Sequence, residues 1–92
     1  MLEDIKKMQG INNTDFDDII QNYIESAKLD LKMCGIVESK INVNSDKLIY
    51  SAIVSYVKSF IDVDNSELFA NAYALQKDAL RHIGEYITPK AE

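Results

Sequence analysis

Residues Asp46–Ile61 read DKLIYSAIVSYVKSFI. Leu48, Ile49, Ala52, Ile53, Tyr56, Val57 and Phe60 recur at steps of three and four, the spacing of one broad helical stripe. Tyr50, Val54 and Ile61 are apolar as well but lie off that stripe. Before Asp62 the only charges are Asp46, Lys47 and Lys58. A helix this apolar needs cover on more than one side. The β-branched residues would also suit a strand, but 16 residues without Gly or Pro exceed an ordinary strand and fit an ordinary helix. Ser45 stands just ahead, where its hydroxyl can accept a hydrogen bond from a free backbone N–H. Asp46 adds negative charge in the first turn, against the positive end of the helix dipole.

Upstream, Leu2, Ile5 and Met8 predict a short first helix that ends near Gly10. Two turns do not hold alone, so this piece must dock. A second helix is predicted from about Asp15 to Cys34, with Phe16, Ile19, Ile20, Tyr23, Ile24, Ala27, Leu31 and Cys34 as its apolar stripe. Thr14 is its expected N-cap, Asp15, Asp17 and Asp18 favour its start, and Glu25 with Lys28 is an expected pair. Gly35 is placed to end it. A helix of about 20 residues spans about 30 Å, so the molecule should be elongated. Downstream, Gly35–Ser45 reads as a connector whose Lys40–Asn44 centre alternates like an extended segment. Asp62–Ser66 is a turn, and Asn65 or Ser66 is the expected cap of a last helix. Its stripe is Phe69, Ala72, Tyr73, Gln76, Ala79, Leu80 and Ile83, widened by Leu68, Leu75, His82 and Tyr86. Gly84 weakens its end, and a polar tail around residues 87–92 should be flexible. The expected fold is all-α: a single domain over residues 1–92, a small elongated bundle of three long helices preceded by one short helix.

The 92 residues leave only a thin core, since a chain this short buries about 60–65% of its unfolded surface. No apolar run approaches a membrane span, and MLEDIKKMQG carries acids and no apolar core, so no secretory signal is expected. One cysteine, Cys34, cannot make an internal disulfide, which favours a reducing compartment. A net charge of −5 argues against gripping nucleic-acid phosphates.

Chemistry is hard to find. His82 is the single histidine, with Asp78 four residues before it. A contact at that spacing is most simply a surface contact. Cys34 falls at a helix C-terminus, where the dipole disfavours a thiolate. Substituting either should leave assembly intact. Asp15, Asp17 and Asp18 lack the Gly-containing loop of a calcium site and are accounted for as a helix start. The three glycines are too far apart for a phosphate loop. We therefore expect no catalytic residue, no metal and no cofactor. What remains is apolar and aromatic surface, including five tyrosines, a residue common at interfaces.

Several strings together resemble the head–tail connector proteins of tailed phages, a family also found in prophages. The likeness covers nearly the whole chain. It begins with MLEDIKKMQGI and the long helix TDFDDIIQNYIESAKLDLKMCGI, with Ile24, Ala27, Lys28, Asp30, Leu31, Gly35 and Ile36 in the family pattern. AIVSYVKSFID follows, with Ala52, Ile53, Tyr56, Val57 and Lys58, then Tyr73, Leu80 and Gly84-Glu85-Tyr86. The resemblance implies a structural subunit of a cyclic homo-oligomer below the portal protein. Its ring would extend the DNA channel, seat the next head-completion or tail protein, and let DNA pass without specific binding. It would belong to the virion, assembled in the bacterial cytoplasm, with no membrane partner. The competing reading is a cellular helical adaptor or regulator forming a small homodimer; genome neighbourhood and native mass separate the two. The candidate contact residues are Ile36, Val37, Ile41 and Val43, which lie outside the long helices, together with Tyr50, Val54 and Tyr86; the alternative for Gly35–Ser45 is an ordinary connector laid back over its own domain.

Overall fold

The computed structural model describes residues 1–42 and 46–87. Five α-helices follow in order: α1 (Leu2–Met8), α2 (Asp17–Met33), α3 (Glu38–Ile41), α4 (Lys47–Ile61) and α5 (Ser66–Leu80). Short 3-10 turns at Val63–Asn65 and Gly84–Tyr86 complete them. Among the described residues there is no strand, only one isolated antiparallel bridge between Ile36 and Ile87. The expected all-α class and the three long helices after a short one are therefore present, within an envelope of 48 × 23 × 19 Å. Val43, Ser45 and the tail beyond Ile87 lie outside the described residues.

The central helix is covered on two sides, as its composition requires. Both α2 and α5 pack on α4. Its buried residues are Ile49, Ala52, Ile53, Ser55 and Val57. Tyr23, early in α2, stacks on Phe60, late in α4, so these two helices are antiparallel. Leu48 and Ser51 share a cleft with Ala79 and Ile83, so α4 and α5 are antiparallel too. Hence α2 and α5 run in the same direction. α1 packs against α2, where Lys6 bridges to Asp17 at 2.8 Å, and the Tyr50 hydroxyl of α4 donates to Asp4 at 2.9 Å.

Two glycines end helices in left-handed geometry, Gly10 at φ 68° and Gly35 at φ 94°. After α2, the Gly35 N–H donates to the Lys32 carbonyl and the Ile36 N–H to the Leu31 carbonyl. After α1, Gly10 and Ile11 make the same pair of bonds to Lys7 and Lys6. These are Schellman closures, and a side chain at either glycine would be strained.

Several expectations need correction. α2 begins at Asp17, not Asp15, and Phe16 occupies its N-cap position without a side-chain hydrogen bond. Thr14 contributes only its carbonyl, to the Asp17 N–H, while Asn13 Oδ1 holds the Asp15 N–H at 3.1 Å. Glu25 takes a hydrogen bond from Gln21 at 2.9 Å. Asp46 lies one position before α4 and is its cap, its Oδ1 accepting from the Leu48 and Ile49 N–H groups at 3.1 Å each. The segment read as extended contains the helical turn α3. Asn65 holds the N-cap position of α5 but makes no side-chain bond to the helix, its amide donating instead to Asp62 at 3.2 Å. α5 stops at Leu80, because Ile83 is extended (φ −103°, ψ 113°) and turns the following residues back onto the bundle.

Candidate assembly surface

At the N-terminal end of α4 the chain closes on itself. The Tyr86 hydroxyl reaches Asp46 at 2.8 and 3.1 Å. The Val37 N–H donates to the Tyr86 carbonyl at 2.7 Å, next to the Ile36–Ile87 bridge. Lys40 stands over the Tyr86 ring, 5.5 Å from its centroid. Burial alone would push the Asp46 carboxyl up. The Ile49 amide, the Tyr86 hydroxyl, the Leu48 amide and the Lys40 charge outweigh it and hold the carboxyl below the usual carboxylate range. The same hydrogen bond to Asp46, with burial, pushes Tyr86 up to about 12.

This knot accounts for most of the expected contact residues. Ile36, Ile41 and Tyr86 are 0%, 3% and 5% exposed and belong to the subunit's own core. The premise that a short bundle leaves them uncovered is thus corrected: α3 and the tail turn supply the missing cover. Val37 and Val54 are half-buried, and half-buried Tyr50 is tied to Asp4.

The opposite end of α4 is different. Ile11, Phe16, Ile19, Ile20, Tyr23, Phe60 and Ile61 line an open apolar groove of about 330 Å³. Phe16, Ile19 and Phe60 are each about half exposed (52%, 49% and 52%), although the helical periodicity had set them on buried stripes. Asp15 and Asp18 stand exposed beside the groove. Further apolar residues face outward on the long helices: Leu29 and Met33 on α2, and Leu68 and Leu75 on α5. The helical spacing of Leu68 and Leu75 predicts a widening of the buried stripe, but the structure leaves them 63% and 73% exposed. The sequence did carry a signal: Leu29 and Met33 fit no buried stripe of α2, and no residue was assigned to cover the second apolar face of α5.

Between the two ends an aromatic row ties the three long helices together. Tyr23 stacks on Phe60 (4.7 Å, 8°), Phe60 lies 5.1 Å from Tyr56, and Tyr56 meets Tyr73 edge-on at 5.1 Å. Tyr73 donates to Asp30, which Lys77 also holds at 3.2 Å. Burial and that carboxylate raise the Tyr73 phenol well above its ordinary value. The network locks α5 to α2. His82 Nδ1 lies 2.7 Å from the Asp78 carbonyl oxygen rather than its carboxylate, and Cys34 is a half-buried free thiol. Among the described residues no three His, Cys, Asp or Glu side chains are grouped to hold a metal. No described helix is long and apolar enough to cross a membrane.

Fold and surface together define a small all-α protein whose distinctive feature is apolar side chains left facing outward. The sequence profile described as "Phage connector protein" matches residues 1–83, and the chain belongs to that family. No curated protein and no solved structure matched the chain. Membership supports a phage connector-type structural role.

Proposed function

We propose that this protein is one subunit of a head–tail connector ring that docks below the portal, extends the DNA channel and seats the next head-completion or tail protein. The family match over residues 1–83 carries this reading. The outward apolar residues at the open end of α4 and on α2 and α5 support it, since a ring subunit must offer surface to two neighbours and to the proteins above and below. A net charge of −5 fits a channel through which DNA slides, because anionic walls do not trap phosphates. The subunit waits in the host cytoplasm and ends at the head–tail junction of the virion.

The test is native mass spectrometry of the protein alone and with purified portal, followed by electron microscopy of the complex. A closed ring coaxial with the portal is the expected result. A homodimer that ignores the portal would support a cellular adaptor instead.

A further inference from the structure

Gln76 breaks the pattern of its own helix. It stands on the stripe of α5 that includes buried Tyr73 and Leu80. Its Oε1 is buried and has no hydrogen-bond partner among the described residues. An acceptor left unpaired in this way lowers stability, and a leucine at the same place would avoid the loss. Gln76 lines a hollow of about 110 Å³ between α4 and α5, together with Leu48, Ser51, Ala79, Leu80 and Ile83. Ser51 and Ala79 are small and exposed, and Leu48 is 50% exposed, so the hollow opens to solvent. Cofactors and other sizeable ligands take about 300–1,000 Å³, so this space suits a single side chain. Water suits it less well. A buried water makes about three hydrogen bonds, and Gln76 and Ser51 bring the only polar side chains to the lining.

We propose that this hollow is a socket for one tyrosine side chain presented by a different protein of the particle. The ring lies against Leu48, Leu80 and Ile83, and its hydroxyl donates to Gln76 Oε1. A charged donor does not fit, because no carboxylate lines the hollow and a buried ammonium or guanidinium needs one. Serine and threonine bring the hydroxyl without the apolar bulk. A cavity of about 150 Å³ takes one benzene ring, so a space smaller than that and open at its mouth takes a phenol in preference to the larger indole. Tyrosine joins an apolar body to a polar tip and is a common interface anchor. A second copy of this chain has none to offer. Tyr73 and Tyr86 are buried, and half-buried Tyr23, Tyr50 and Tyr56 are engaged with Phe60, Asp4 and Tyr73. The source of the tyrosine rests on the connector reading, which supplies the portal and the next head-completion or tail protein as neighbours; the chemistry of the socket does not.

The experiment titrates the full, isotope-labelled chain with phenol and with toluene and follows the amide signals of Ser51, Gln76, Ala79 and Ile83. Both probes should move these signals, phenol at the lower concentration. Ala79→Leu fills the hollow from an exposed position and should abolish both responses. Gln76→Leu should weaken phenol about three- to tenfold and leave toluene no weaker. It should also raise the thermal midpoint, since the unpaired acceptor is gone. No response, or responses spread over other surfaces, overturns the socket. A lowered midpoint in Gln76→Leu, or equal loss of both probes, overturns the role of Oε1. Rings of wild type and Ala79→Leu are then mixed with purified portal and with the purified downstream protein. The variant should form rings as the wild type does and lose one of the two partners. If it keeps both, the proposal fails and the connector reading survives. A wild type that binds neither overturns the connector reading instead, and the phenol titration still decides the socket.

Discussion

The two ends of α4 solve the same problem in opposite ways. At its start, Asp46 caps the helix, Tyr86 caps Asp46, and Ile36 and Ile41 fill the space beneath. At its finish, Phe60 shares an open groove with Phe16 and Ile19, and all three keep about half their surface in water. Each end has enough apolar residues to make a core. Only the first has extra chain, α3 and the Gly84–Ile87 turn, to cover them. The second ends in the short 3-10 turn Val63–Asn65, whose Val63 is 83% exposed. A subunit built this way is stable through one end and has surface to offer at the other.

Core substitutions at the closed end give the largest test of that contrast. Ile36→Ala removes a fully buried side chain and should cost about 2–5 kcal/mol. Ile41→Ser leaves a hydroxyl in an apolar site and should cost a similar amount. Chemical denaturation should show both as lowered midpoints with unchanged slope. A wild-type midpoint for Ile41→Ser would mean that α3 is not part of the core.

The Tyr86–Asp46 bond comes next. Tyr86→Phe removes a donor from a charged, partly solvated carboxylate and should cost about 1–2 kcal/mol. The pH dependence has two limbs. Asp46 titrates below its usual 3.8 in the folded chain, so its contribution is full above that value and is lost as pH falls through the lower folded one. Tyr86 is raised from 10.0 to about 12, so its contribution is full below pH 10 and fades as pH rises between the two. Thermal midpoints against pH should show a shallower acid limb in Asp46→Asn. In Tyr86→Phe the alkaline limb should shrink without vanishing, because Tyr73 is raised too. Identical profiles in all three proteins would mean the bond contributes nothing to stability.

At the open end, Phe60→Ala should cost about 1 kcal/mol. It is half exposed, and the loss is mainly its stacking on Tyr23 and its contact with Tyr56. A loss as large as that of Ile36→Ala would show the groove to be core after all.

What could be read in advance follows the range of the interactions. Periodicity fixed the long helices because it is local, and Gly10 and Gly35 marked helix ends because left-handed backbone favours glycine there. The fate of Ile36 and Ile41 was not local. It depended on Tyr86, 40 residues beyond Asp46, returning to close the knot. An alternating segment is compatible with a short helical turn when tertiary cover is supplied, as at α3. The outward residues were harder still. Leu68 and Leu75 carry a helical period whichever face they occupy, and only the position of Tyr73 shows which way they point. Family resemblance supplied the class of function, and the surface that serves it was visible only in three dimensions.

The smallest expected effect on the subunit is the sharpest probe of the contrast. Phe16 holds the N-cap position of α2 with no side-chain hydrogen bond to the helix. Ser, Thr, Asp or Asn would normally stand there, because each can accept a bond from a free N–H. A half-exposed aromatic at this site breaks a local rule, and such violations concentrate where a residue serves something other than folding. In Phe16→Ser the lost apolar contact with the groove opposes the gained cap, so stability should stay within about 0.5 kcal/mol of the wild type. If Phe16 is there for a partner, portal binding or ring yield should fall while the thermal midpoint holds. If the midpoint falls by as much as in Phe60→Ala and assembly is untouched, Phe16 is merely the rim of the core, and the open end is open only because the chain has nothing left to cover it.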